Sequence, residues 1–221
     1  MRYRIHKKTF SRRRKYASLA LLFAGIILAV FAVLAMSDKY KIGHSGVPSA
    51  GDVSTSSNAE PSEQAVPANY SVPANQPLAI NLPTISTKAF IQKISVDKSN
   101  QMAVPTNIHM AGWYIKGAKP GEKGLSIIDG HYSGRYQKAA FADLKKLKTG
   151  DKFTVEYGDH HSVNFEVKNI RTMSISDVAV ALFERDKTIE KQLNLITCGG
   201  KYLPNEKTFD SRILVVARAT E

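Results

Sequence analysis

The twenty residues from Ala17 to Met36 carry no charge and a single polar side chain, Ser18. About 20 apolar residues are what a helix needs to cross the hydrocarbon core of a bilayer. Residues 1–16 are basic and contain no acid. Positive charge resists translocation, so this order predicts a cytoplasmic tail over 1–16, a single-pass transmembrane signal anchor over 17–36, and everything from about residue 37 outside the cell membrane. The rival reading is a cleaved signal peptide. Val33-Leu34-Ala35 offers only a weak cleavage context, and the run is longer than an ordinary signal h-region, so the uncleaved anchor is the favoured expectation.

The anchor also explains the charge. The formal net charge is +12, which alone would suggest nucleic acid. Ten Lys/Arg against one acid, Asp38, lie in the first 41 residues, leaving the other 180 residues at only +3. The outer part therefore has no basic excess suited to nucleic acid. Residues 37–83 are rich in Ser, Ala, Pro, Asn and Gly, with Val66-Pro67-Ala68-Asn69 echoed by Val72-Pro73-Ala74-Asn75. No sustained period runs through them, and the expectation is a flexible extracellular linker. The two-copy word is too short to mark a repeat architecture.

From Thr84 the composition changes. Strands are expected over Ala89–Val96 and Gln101–Val104, with a loop over Gly112–Gly124, an apolar run at Leu125–Ile128, and a helical turn within Phe141–Leu147. Phe153, Val155 and Tyr157 alternate as in a half-buried strand. Gly158-Asp159 turns the chain into the return strand of Val163, Phe165 and Val167. A short helix around Val178–Phe183 precedes a strand ending at the cysteine, a loop from Lys201 to Ser211, and a last strand over Arg212–Ala217. Seven or eight strands with little helix imply an all-β fold over 84–221, a closed barrel or a sandwich.

Leu193-Asn194-Leu195-Ile196-Thr197-Cys198-Gly199-Gly200 reads as a buried strand ending on the only cysteine. One cysteine excludes an intramolecular disulfide and argues against a cysteine-rich zinc site. Cys198 is then either a buried small hydrophobe or a nucleophile. A nucleophilic cysteine needs a histidine to exchange protons and donors for an oxyanion. Of six histidines, His6 is in the tail, His44 in the linker, His109 in an irregular segment, and His160 and His161 at a hairpin tip. His131 alone follows a buried apolar run and a glycine, a placement that projects a side chain from a rigid strand end. Arg212 opens the strand after the cysteine loop. Adjacent strands joined by a loop usually pair, which would bring Arg212 to Cys198; a surface ion pair with Asp210 is the equally open alternative.

With these pieces in order, the chain resembles a sortase, a membrane-anchored cysteine transpeptidase of bacterial cell surfaces. Asp129-Gly130-His131 resembles the family's histidine strand end, and Leu195-Ile196-Thr197-Cys198 its Thr-Leu-x-Thr-Cys motif. Arg212 stands where the family's arginine does, with separations of 67 and 14 residues. Gly112-Trp113-Tyr114, Pro120-Gly121 and the glycines after Cys198 are similar to the class F group. Asn194 departs from the motif, which usually begins with Thr.

The resemblance implies a closed sortase-type barrel. It makes His131, Cys198 and Arg212 the catalytic residues, with Thr197 and Gly199 beside the substrate. It implies cleavage of an LPXTG-like sorting signal between Thr and Gly, through a thioacyl intermediate. The expected partners are surface proteins bearing a C-terminal sorting signal and an amine acceptor, a peptidoglycan precursor or a pilin lysine. No cofactor is expected. Some sortases use calcium before the cysteine strand, but Asp177, Glu184, Asp186 and Glu190 alternate here with Arg185, Lys187 and Lys191, which favours a solvated loop. An L,D-transpeptidase is disfavoured because Ile196-Thr197 precedes Cys198. A non-catalytic extracellular β-domain that binds wall polymer or a partner protein is the alternative from another class.

Overall fold

A computed structural model describes residues 60–97 and 101–220. The tail, the anchor and residues 37–59 of the linker lie outside the described residues. Among those described, no helix is long and apolar enough to cross a membrane.

Eight strands close into a barrel in the order β1-β2-β3-β4-β7-β8-β6-β5. They are β1 (Pro77–Leu82), β2 (Thr87–Ile94), β3 (Ala111–Tyr114), β4 (Gly124–Gly130), β5 (Lys152–Tyr157), β6 (Ser162–Ser174), β7 (Lys191–Leu203) and β8 (Thr208–Thr220). Among the described residues one α-helix, α1 (Ile175–Ala181), links β6 towards β7; its N-cap Ser174 accepts the Asp177 N–H. Most pairs are antiparallel, but β2 with β3 and β4 with β7 run parallel.

Two-residue alternation divides the buried side chains into two sets. Ile80, Ile91, Ile128, Phe153, Phe165, Leu195 and Val215 belong to the main core that fills the barrel. The opposite faces of β4, β7 and β8 carry Ile127, Ile196, Leu214 and Val216, which pack with Val178, Ala181 and Leu182 from α1 and its end. These three strands are therefore covered on both sides. That is why every residue from Gln192 to Thr197 is buried, the polar Asn194 included.

The same effect hid the first strand. Pro77–Leu82 is buried at every position except Asn81 and pairs with both β2 and β5, so the barrel begins at Pro77 rather than Thr84. Residues before it are packed as well. The Tyr70 hydroxyl donates to the Ile91 carbonyl at 2.9 Å, and Ser62 bridges to Asn107. The expected strand over Gln101–Val104 reduces to one bridge, Val96 to Met102. The expected loop from Gly112 contains most of β3. The expected loop from Lys201 to Ser211 shrinks to residues 204–207, because β7 and β8 continue as a long two-stranded arm.

Candidate active site

The β7–β8 ladder pairs Cys198 directly with Arg212. Alternation puts Ile196 and Cys198 on the face of β7 that packs towards α1, and Leu214 and Arg212 on the same face of β8. On β4, Asp129 pairs with Ile196 in the parallel register. His131 is two residues beyond Asp129, one step past the end of the strand. Register thus brings Asp129, Cys198 and Arg212 to one face of three neighbouring strands, and the end of β4 delivers His131 to the same end of that sheet.

Arg212 is only 4% exposed. One guanidinium nitrogen donates to the Phe209 and Ser211 carbonyls, both at 2.9 Å, and another to Thr208 Oγ1 at 3.1 Å. A planar fork spreads fixed donors over separate nitrogens while staying charged, whereas a lysine carries its three donors on a single nitrogen and cannot span these acceptors in the same way. Cys198 is half-buried. Thr197 points the other way: it is fully buried, and its hydroxyl donates to the Gly130 carbonyl at 2.6 Å. This bond ties the cysteine strand to the residue before His131. The Thr197 side chain is therefore committed within the fold, and any contact it makes with a ligand runs through its backbone.

The glycines have steric reasons. A Cβ at Gly199 would lie 2.9 Å from Ile213, and one at Gly200 (φ +77°) would overlap the Asp210 carboxylate. A Cβ at Gly130 would come within 2.5 Å of the Phe141 ring, so the residue before His131 has no room for a side chain.

His131 is held by backbone. Its Nε2 lies 2.6 Å from the Pro105 carbonyl oxygen. A carbonyl only accepts, so Nε2 carries the hydrogen, and in the neutral ring Nδ1 keeps the lone pair. Burial pushes the His131 pKa below its ordinary value, and the Pro105 contact opposes this. The His131 carbonyl accepts the Phe141 N–H at 2.9 Å. The next residue, Tyr132, packs edge-on against Phe209 with centroids 5.2 Å apart, beside the carbonyl that holds Arg212. Asp129 is 2% exposed; burial raises its pKa to about 7, against the pull of the Gly130 N–H and the Arg212 charge.

The remaining sequence candidates fall elsewhere or into structural roles. His160 and His161 flank the exposed β5–β6 turn beside Glu156 and Asp159. His109 Nε2 lies 3.2 Å from the Glu63 carbonyl. Asn194, the departure in the cysteine strand, is fully buried; it donates to the Leu182 carbonyl at 2.8 Å and accepts from Gln192 at 2.9 Å. Among the described residues, no group of three or more His, Cys, Asp or Glu is arranged to hold a metal ion. Asp186 is engaged by Thr188, and Glu190 pairs with Lys123 at 2.6 Å. Three features escaped the sequence: the Pro105 carbonyl, the Thr197–Gly130 clamp, and Asp129 as an ionisable neighbour. Only the last had a signal, the aspartate within Asp129-Gly130-His131.

A family model described as the sortase domain matches residues 80–220. The fold is similar to sortase A from Corynebacterium diphtheriae, a lid mutant, at 23% identity and TM-score 0.51, covering 70% of this chain and 74% of that one. It is also similar to sortase C-1 from Actinomyces oris, at 22% identity and TM-score 0.50, covering 66% and 76%. No curated protein matches the chain.

Proposed function

The chain belongs to the sortase family, and on that premise we propose that it is a membrane-anchored cysteine transpeptidase in which Cys198 is the nucleophile, His131 the proton carrier and Arg212 the cation. The observation that carries this reading is the direct cross-strand pairing of Cys198 with Arg212, beside a strand that ends at His131.

In this mechanism Cys198 Sγ attacks the Thr carbonyl carbon of an LPXTG-like sorting signal. The carbonyl π electrons move to oxygen, and Arg212 with a backbone N–H near Cys198 stabilises the oxyanion. Collapse breaks the Thr–Gly C–N bond and leaves a thioester on Cys198. The thiol proton passes through His131 to the departing amine. With Nε2–H engaged by Pro105, Nδ1 is the nitrogen available for that exchange. An acceptor amine then attacks the thioester, gives up a proton to His131 and releases the Cys198 thiol, so the cycle closes without loss of atoms. Burial around His131 disfavours a resting imidazolium and suits it to take a proton as attack proceeds.

The rest of the layout belongs to the same proposal. Residues 1–16 are cytoplasmic, 17–36 anchor the chain, and the linker that follows 36 carries the catalytic domain to the outer surface. There it meets surface proteins bearing a C-terminal sorting signal, and an acceptor that is a peptidoglycan precursor or a pilin lysine. Gly112-Trp113-Tyr114, with Pro120-Gly121, supports a class F-like subgroup. No cofactor takes part.

The test is cleavage of a fluorogenic LPXTG-type peptide, with mass spectrometry of the enzyme. Wild type should cleave it and carry a thioacyl adduct on Cys198, whereas Cys198→Ala should do neither. Cleavage that survives in Cys198→Ala would overturn the nucleophile assignment.

A further inference from the structure

Asp129 is an acid placed where packing alone would favour a hydrocarbon. Its neighbours on the outer face include Ile127 on its own strand and Ile196 opposite it on β7. On the β3 side it pairs with Gly112, and the space a Gly112 side chain would need is occupied by Ile94. Burying a carboxylate in such surroundings is costly unless specific partners stabilise it. The Gly130 N–H and, more weakly, the Arg212 charge act against that cost.

The register sets the distances. Asp129 is opposite Ile196, and Cys198 is two residues further along the same face. Strand spacing and rise place the two Cα atoms about 8 Å apart. His131 follows one residue past the end of β4, and Arg212 pairs with Cys198 from β8. The titratable and charged groups around Asp129 are then His131 just past the end of β4, Cys198 on β7, Arg212 on β8 and Tyr114 further along β3. Helix α1 covers this face with Val178 and Ala181, its own Asp177 being exposed.

We propose that Asp129 is a positioning residue of the reacting centre: its carboxylate balances the buried Arg212 charge and sets the ionisation of Cys198 and His131. Without a counter-charge, Arg212 would draw the Cys198 proton off at rest and make a thiolate of reduced intrinsic nucleophilicity. An ionised Asp129 opposes that, keeps the thiol protonated until attack, and favours the imidazolium that must form when the proton moves. Its effect on the reaction is carried by Arg212, Cys198 and His131. The consequence for turnover rests on the transpeptidase reading; the effect on the thiol does not.

Because Cys198 is the only cysteine, alkylation of the full chain in detergent by neutral iodoacetamide reports on this site without any peptide substrate. The Asp129→Asn variant keeps the shape and removes the charge. Its alkylation midpoint should fall by at least about half a pH unit, the size expected for a charge at this range in a partly screened interior. Asp129 itself titrates near pH 7. The variant should therefore react faster than wild type from about pH 7 up to the wild-type midpoint, and the two curves should merge below about pH 6. Superposed curves, or a constant ratio at every pH, would show a purely structural Asp129 and overturn the proposal. If Asn disturbs folding, Asp129→Ser gives the same comparison with a smaller neutral side chain, and the same outcomes decide. Failure of peptide cleavage with a normal alkylation shift would instead count against the transpeptidase reading alone.

Discussion

Cys198 and Arg212 sit inside one of the two longest ladders of the barrel, whereas His131 sits one residue past the end of β4 and is held by loops. On the first side, main-chain pairing runs from Gln192↔Arg218 through Cys198↔Arg212 to Leu203↔Thr208. Arg212 is locked by three hydrogen bonds within five residues of itself. On the second side, His131 depends on Pro105, 26 residues earlier, and on a loop pinned from further off still. The Glu63 carboxylate accepts the Arg135 N–H, and its carbonyl accepts from Gln137 Nε2 at 3.1 Å. Ser62 N–H donates to the Thr106 carbonyl at 2.8 Å, and the Ser62 carbonyl accepts the Ile108 N–H at 2.9 Å, next to Pro105. One half of the site is thus fixed by sheet geometry, and the other by contacts between segments remote in sequence. Local structure of the second kind opens at lower cost, so the histidine side is where the site can loosen without the barrel unfolding.

The sharpest break of this contrast is Arg212→Lys. Charge is kept but the fork is lost, and with it the simultaneous contacts to Thr208, Phe209 and Ser211. We expect kcat/KM for the sorting-signal peptide to fall about 10²- to 10³-fold, in line with the loss of a principal oxyanion-stabilising donor. Thermal unfolding should change far less, because the β7–β8 ladder does not need the guanidinium. Near-normal turnover would make Arg212 a structural residue and remove the catalytic meaning of its pairing with Cys198.

Thr197 joins the two halves, so the next largest effect lies there. Thr197→Val preserves shape but removes the hydrogen bond to the Gly130 carbonyl. A buried carbonyl left without its donor costs about 1–3 kcal/mol. A matching fall in the urea midpoint at unchanged m-value is expected. Activity should drop with it, because Gly130 sets where His131 begins, and Thr197→Ser should recover both. A Val variant as stable and active as wild type would mean that the two halves are positioned independently.

The same asymmetry governs how much could be read in advance. The cysteine and arginine were legible because a lone cysteine, a short connection and strand pairing are local facts. His131 was legible as a strand-end residue behind Gly130, but what holds it was not. A backbone carbonyl such as that of Pro105 has no side-chain signature, and Glu63 meets Arg135 across 72 residues with no periodicity to announce it. Strand β1 carries no strand signature in the sequence because Pro77–Leu82 is covered on both faces and lacks polar alternation, and because proline-rich sequence leads into it. Asn194 looked like a flaw in the motif. Its amide bridges Leu182 and Gln192, so it secures the end of α1 to the cysteine strand.

The smallest effect, and the one that best separates the halves, is expected for Glu63→Ala. It removes an exposed acceptor for the Arg135 N–H, worth about 0.5–1.5 kcal/mol, and leaves every barrel hydrogen bond intact. Cys198 alkylation should scarcely change, while turnover falls by less than about tenfold. The diagnostic measurement is the titration of His131 by NMR. In the wild type, burial holds its pKa below the ordinary value. The folded state therefore binds fewer protons than the unfolded chain once the pH drops below about 6.5, and stability from this group is lost as pH falls through the folded pKa. If Glu63 keeps the loop closed over the ring, its removal must raise the His131 midpoint towards the ordinary value and shrink that acid-side loss. An unchanged His131 midpoint would mean that Pro105 and Gly130 suffice, and that the strap of residues 60–64 covers the loop without positioning the histidine.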